Sequence, residues 1–277
     1  MTVKVVIPLS GGKDSQVCLK LASQQFEAHE IRALFCDTQW EHGLTYAHIE
    51  KLRHLYGPIQ IDTITAGSVP EQVLKHERFP QGGSRFCTEE LKIWPTKRYL
   101  KALAEEQGSR LGRKRKSAAG PMQSPSTGGG FQVWYGMRAA EGEERRARYA
   151  GKIDLDLYPP HEVLAKYPQY LAQLGVMFRL PILDWSTDEV FDFLGGRPSA
   201  NHQSEANPLY EWFDRCGCFP CQASGDATIE RAYAFDDLGR SRRVIMMAIA
   251  GQIGKSPFSS KGGQARNPHQ CALHCGD

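Results

Sequence analysis

Two short stretches concentrate side chains that can do chemistry. The first is Ser10-Gly11-Gly12-Lys13-Asp14-Ser15: a glycine pair that leaves backbone N–H groups uncovered, beside a lysine, an aspartate and two hydroxyls. Where such a run ends a strand and opens a helix, the bare N–H groups and the helix N-terminus receive an anion, so the stretch reads as a phosphate cradle. The second is Cys216-Gly217-Cys218-Phe219-Pro220-Cys221. Its glycine and proline favour a tight turn that directs several sulfurs at one centre, and three thiolates call for a fourth ligand. Spacing alone leaves a 4Fe-4S cluster, structural zinc and free or redox-active thiols open.

The elements that must position these groups follow from hydrophobic patterning. Val3 to Leu9 has the apolar, β-branched character of a buried strand, and from Val17 to Ala22 the pattern becomes that of a helix, with Asp14 and Ser15 in its first turn. The G-x-x-x-x-G-K-S/T phosphate loop is excluded here, because its first glycine falls on Ile7; at Gly254-Lys255-Ser256 it falls on Ile249. Residues 31–36 form a second strand ending at Asp37, residues 43–56 a helix and residues 59–64 a third strand. Alternating strands and helices predict a doubly wound, mainly parallel α/β sheet with helices on both faces and ligands beyond the carboxyl ends of its strands. Asp37 lies at that edge, as a magnesium or nucleotide-hydroxyl ligand or as a turn residue.

Further along, residues 107–130 carry Arg110, Arg113, Lys114, Arg115 and Lys116 with no acidic residue before Glu141, in Gly/Ser/Pro-rich company. This predicts a flexible basic insertion, with the composition of an arm that binds a nucleic-acid backbone. Residues 131–135 resume a strand. Met177 to Leu183 is apolar, Ser186 and Glu189 make a capping box for a helix through Leu194, and residues 226–251 have helical composition. A nucleotide-binding domain over 1–195 and a cysteine-containing region over 196–277 are the expected division. At 277 residues and 41% hydrophobic the chain can bury a substantial core, and no apolar run is long enough to span a membrane. Eight cysteines without a secretion signal point to metal or thiol chemistry in the cytoplasm. Cys18 and Cys36 read as core residues. The net charge of +3 identifies no partner.

The Ser10–Ser15 run resembles the pyrophosphate loop of the adenine nucleotide alpha hydrolase superfamily, the N-type ATP pyrophosphatases. Cys87, Lys92 and Pro95 then resemble the cysteine, basic residue and proline of its phosphoadenosine phosphosulfate reductase family. Gly136, Arg138 and Glu141 match that family's G-x-R-x-x-E signature, and Pro181, Asp184, Trp185 and Val190 follow another of its patterns. The resemblance implies that Arg138 faces a nucleotide phosphate and that Cys87, Cys218 and Cys221, with Cys216 as fourth, hold a metal centre. Thr88 stands where the cluster-containing members double the cysteine. The tail, with Cys271 and Cys275, is similar only loosely to the mobile cysteine segment of the reductases.

Three functions are consistent with these residues. In the first, ATP adenylates an acceptor and sulfur replaces the AMP: Gly11, Gly12 and Lys13 hold the pyrophosphate, Ser10 and Ser15 add hydroxyls, Arg138 neutralises charge, and magnesium bridges the phosphates. Such an enzyme implies an adenine nucleotide, a tRNA or DNA acceptor, and a sulfur donor or thioredoxin-like reductant as partners. The second is reduction of phosphoadenosine phosphosulfate or adenylylsulfate to sulfite. The third is nucleotide sensing without catalysis.

Overall fold

The computed structural model describes residues 2–81, 85–111 and 129–258. In chain order β1 (Val5–Leu9) leads to α1 (Lys13–Ser23), β2 (Ile31–Asp37) to α2 (Gly43–Leu55), and β3 (Gln60–Thr65) to α3 (Val69–His76). A helical turn, α4 (Phe86–Thr88), runs through a π-helical turn (Glu89–Ile93) into α5 (Trp94–Glu106). After β4 (Phe131–Trp134) come α6 (Glu143–Arg148), the single turns α7 (Pro160–Val163) and α8 (Tyr170–Gln173), β5 (Val176–Arg179), α9 (Thr187–Phe193), α10 (Asp226–Phe235) and α11 (Asp237–Ile253).

The strands form one parallel sheet in the order β3-β2-β1-β4-β5. The period of two along β1 explains its continuous apolar run. Val5, Ile7 and Leu9 enter a core with α1, α2 and α9, while Val6 enters a second core on the opposite face with α5, α7 and α8. The chain winds outward from β1 through β2 to β3, then crosses back to place β4 on the other side of β1. That reversal makes a switch point between β1 and β4, where open parallel sheets bind ligands beyond the carboxyl ends.

The described residues after 195 share cores with this body. Ala206, Leu209, Tyr210, Phe213, Cys216 and Phe219 share the core of α1, and α10 and α11 pack with α3 and Trp40 in a third cluster. The helical composition over 226–251 is realised as two helices, α10 and α11. Asp236 takes an extended conformation and accepts the Gly239 N–H at 2.7 Å, which caps α11 and ends α10. Gly239 itself lies so close to α10 that an added Cβ would stand 2.2 Å from the Ala232 carbonyl oxygen. The Ser186–Glu189 capping box is present as expected, while of the preceding apolar run from Met177 to Leu183 only the part within β5 (Val176–Arg179) is strand.

The ends of the basic insertion meet at the amino edge of the sheet. The Gln107 amide donates to the carbonyls of Val3 and Gly129, both at 3.2 Å. Arg113, Lys114, Arg115 and Lys116 lie outside the described residues, as do Cys271 and Cys275. Among the described residues no helix is long and apolar enough to cross a membrane.

Candidate functional site

The loop between β1 and α1 is fixed mostly by its own side chains. Ser15 Oγ donates to the Gly12 carbonyl at 3.0 Å, accepts the Ser10 N–H at 3.2 Å and lies 3.3 Å from Ser10 Oγ. Gly11 has φ +77°, and a Cβ there would stand 2.5 Å from Thr45 Cγ2, so both conformation and space require glycine. Two longer-range contacts complete it: Asn207 Nδ2 donates to the Gly11 carbonyl at 2.9 Å, and the Lys13 N–H donates to the Tyr210 hydroxyl at 2.9 Å.

Asp14 is the electrostatic centre. Fully buried, it accepts Lys13 Nζ at 2.7 Å on one oxygen and Arg138 Nε at 2.5 Å on the other. Burying three ionised groups is tolerable only because each has a hydrogen-bonded partner of opposite sign. Arg138 arrives from the turn after β4, where Gly136 permits close approach: a Cβ on it would meet the Asp14 backbone at 2.5 Å. Its guanidinium also donates to the Trp185 carbonyl and the Thr187 hydroxyl, both at 3.3 Å. The Lys13 ammonium is enclosed by the rings of Phe191 and Tyr210. Ser10 and Gly136 line the cleft at the switch point; Lys13, Asp14 and Arg138 form a charged layer behind it.

That cleft has a volume of about 720 Å³ including its mouth. Its walls are largely apolar and aromatic, with Leu34, Ile93, Met137 and Leu164 beside the paired hydroxyls of Tyr135 and Tyr167, 2.6 Å apart. The lining, apolar and aromatic with a few polar groups, is of the kind that binds a small ligand such as a nucleotide. Cys36, expected in the core, is only half buried; it lines this cleft and lies 3.3 Å from Thr96 Oγ1. Cys18 is fully buried. Asp37 ends β2, but its Oδ1 accepts the Gln39 N–H and the Tyr46 hydroxyl, both at 2.7 Å, in the manner of a turn residue.

A second pocket, of about 380 Å³, adjoins the first through Lys92, which lines both. Cys87, Cys218 and Cys221 line it together with Arg85 and Thr38. Lys92 comes from the π-helical turn ahead of α5, and Cys87 from α4. Cys216 does not join them. Gly217 has φ +148°, and across it the chain leaves Cys216 buried in the core of α1 while Cys218 pairs with Glu41 in an isolated bridge. Cys218 Sγ lies 3.3 Å from Thr38 Oγ1 and 3.8 Å from Glu41 Oε1. Burial pushes the Cys218 thiol well above its ordinary range and the Glu41 carboxyl above its own, while the Lys92 ammonium pulls both down.

The turn carrying Cys218 is held by a residue with no sequence signal. Arg242 of α11 donates to the carbonyls of Trp40 at 2.8 Å, Glu41 at 2.9 Å and Phe219 at 2.5 Å, and lies over the Trp40 ring. Asn207, Tyr210, Glu41 and the tyrosine pair were likewise missed as site residues. Each acts through a partner distant in sequence, which spacing does not disclose. Among the described residues no three His, Cys, Asp or Glu side chains are gathered as a single metal ion requires.

A parallel sheet with a glycine loop and two phosphate-compatible cations at its switch point defines a nucleotide-binding α/β protein of the PP-loop class. The phosphoadenosine phosphosulfate reductase domain matches residues 4–224, and the chain belongs to that family. It is an enzyme family, which the intact loop and adjoining cleft fit. Among solved structures the chain is similar to the phosphate complex of phosphoadenylyl-sulfate reductase from Candida auris. The identity is 15% and the TM-score 0.43, over 78% of this chain and 82% of that one. No curated protein matches the sequence.

Proposed function

We propose that the protein cleaves ATP to pyrophosphate, adenylates an acceptor and replaces the AMP with sulfur. The observation that carries this reading is the complete Ser10–Ser15 loop beside a cleft whose neighbouring pocket is walled by three thiols. A reductase of an adenylyl sulfate has no pyrophosphate to expel and has less use for such a loop. The family's description favours the reductase as the second reading.

In the proposed reaction the acceptor oxygen attacks the α-phosphorus, and the leaving pyrophosphate settles on the Gly11–Lys13 turn, where the Gly12 and Lys13 N–H groups exchange Ser10 Oγ and the Tyr210 hydroxyl for it, with the hydroxyls of Ser10 and Ser15 as added donors. Lys13 and Arg138 share the Asp14 carboxylate, and Arg138 also lies 3.5 Å from Glu141, which Arg145 pairs as well, so the group of three cations and two carboxylates is cationic toward a phosphate. Arg138 is anchored by three elements, whereas the longer, flexible Lys13 stem is the part that can swing toward the phosphate. Magnesium supplied with the nucleotide would neutralise its phosphates, and Asp37 is the candidate carboxylate for it. The apolar cleft takes the adenine.

Cys87, Cys218 and Cys221 are the residues that would hold a 4Fe-4S cluster. Three thiols line one pocket and, among the described residues, no three ligands converge on one point, so the donor set suits a polynuclear centre better than zinc, which needs four donors within about 2.3 Å of one point. Arg85 and Lys92 line the same wall and would offset its negative charge. With three thiolate ligands the centre would supply one open position for sulfur. Such chemistry suits a reducing cytoplasm and a sulfur donor or thioredoxin-like reductant. The acid-free basic run from Arg110 to Lys116 supports tRNA or DNA as acceptor.

Anaerobic purification with iron and sulfide analysis, joined to an ATP–pyrophosphate exchange assay, tests this. Exchange that needs magnesium and acceptor and is lost in Lys13→Ala is the expected result. Sulfite formation from phosphoadenosine phosphosulfate without exchange would establish the reductase instead.

A further inference from the structure

We infer that the first two turns of α5 are a docking platform that stacks an unpaired base of a single-stranded nucleic acid on the outer face of the helix that walls the nucleotide cleft. The inference rests on the reading of a nucleic-acid acceptor and assigns it a surface outside the basic insertion. Trp94 is 48% exposed and Trp212 44%, whereas Trp40 and Trp134 are buried. Ile93 and Thr96, close to Trp94 in the chain, line the cleft, and Trp94 lies on the outer face of the same helical stretch.

Cations surround it. Lys97 and Arg98 follow at helical spacings of three and four, which places them on the same side of α5 as Trp94. The Lys97 ammonium lies 5.7 Å from the ring centre of Tyr167, itself a cleft residue. Lys166 comes in from the segment between α7 and α8 and pairs with Glu89 at 2.6 Å. The acids of α5 itself, Glu105 and Glu106, belong to its last turn, with Glu105 3.6 Å from Lys101, so the cationic face is confined to the helix start.

A flat aromatic face flanked by cations is the combination by which single strands are held: stacking on the base and charge on the backbone. A duplex keeps its bases stacked on each other and cannot use Trp94 in this way.

Titrating the full-length protein with a deoxythymidine decamer, an RNA strand of the same length and a matching duplex, read by tryptophan fluorescence and anisotropy, tests the platform. Wild type should bind the single strands with quenching. Trp94→Ala should lose about tenfold or more in affinity along with much of the quench, and Trp94→Phe should retain most of the affinity. The pair Lys97→Ala and Arg98→Ala should reduce the salt slope by about 1.4, with ATP affinity unchanged in every variant. Single-strand binding that Trp94→Ala leaves intact, or duplex binding as tight as that of the single strand, overturns the platform while the acceptor reading stands. Wild type that binds ATP but no strand overturns both the platform and the nucleic-acid acceptor, and leaves the ATP chemistry untouched.

Discussion

The glycine loop and the cysteine pocket meet at Lys92 but are built on different principles. The loop is one continuous stretch whose shape and much of whose charge balance come from within it: Ser15 bonds back to Gly12, and Lys13 is paired with its immediate neighbour Asp14. The pocket is assembled from the exit of β2, the turn before α5 and the cysteine turn at 216–221, with α11 bracing the assembly through Arg242. A site of the first kind is set by local sequence and is sensitive to its buried charges. A site of the second kind depends on the docking of distant segments.

The largest effect should come from removing the charge at the centre of the loop. Asp14→Asn removes the carboxylate nearest two buried cations, leaving Arg138 with Glu141 at 3.5 Å, and should lower stability by about 3–5 kcal/mol in urea unfolding. A variant as stable as wild type would show that the loop's charge is balanced elsewhere.

Next, Arg242→Met should loosen the pocket and spare the loop. Three carbonyls lose a guanidinium donor, at about 2–4 kcal/mol, and the Cys218 thiol should become more reactive to a thiol reagent while ATP affinity holds. Equal losses in both regions would dissolve the distinction between them.

A smaller effect follows from pH. Burial, with a minor contribution from Lys51, lowers the His48 pKa to about 4, and the neutral ring is hydrogen-bonded to Gln16 of α1 at 2.9 Å. The folded state then binds fewer protons than the unfolded state between the ordinary histidine value and about 4. This stabilisation is full above pH of about 6.5 and should fall by up to about 3 kcal/mol on acidification to pH of about 4. Denaturant midpoints measured across that range should lose this component in His48→Gln. An unchanged pH slope would mean that the α1 anchor is not the titrating group.

The smallest difference lies within the cysteine turn. Cys216→Ser should cost about 1 kcal/mol of core packing and keep any bound iron, whereas Cys218→Ser should lose the iron. Iron analysis of the two anaerobically purified variants decides it, and loss in both would return Cys216 to the ligand set.

The sequence by itself determined the parallel α/β class and the phosphate loop. Period-two burial in β1, the Gly11 conformation and the α1 start are all local, and local patterning is what a sequence displays. It also carried the family motifs containing Arg138 and Cys87. It did not reveal that Arg138 and Lys13 converge on Asp14, because that contact spans 124 positions and exists only once β4 lies beside β1. Nor did spacing separate Cys216 from Cys218: two thiols two residues apart look equivalent until Gly217 and the competing pull of an apolar core send one inward. Tertiary structure decided which cysteines share a pocket and which arginine braces it, because burial and hydrogen-bond satisfaction are properties of packed segments.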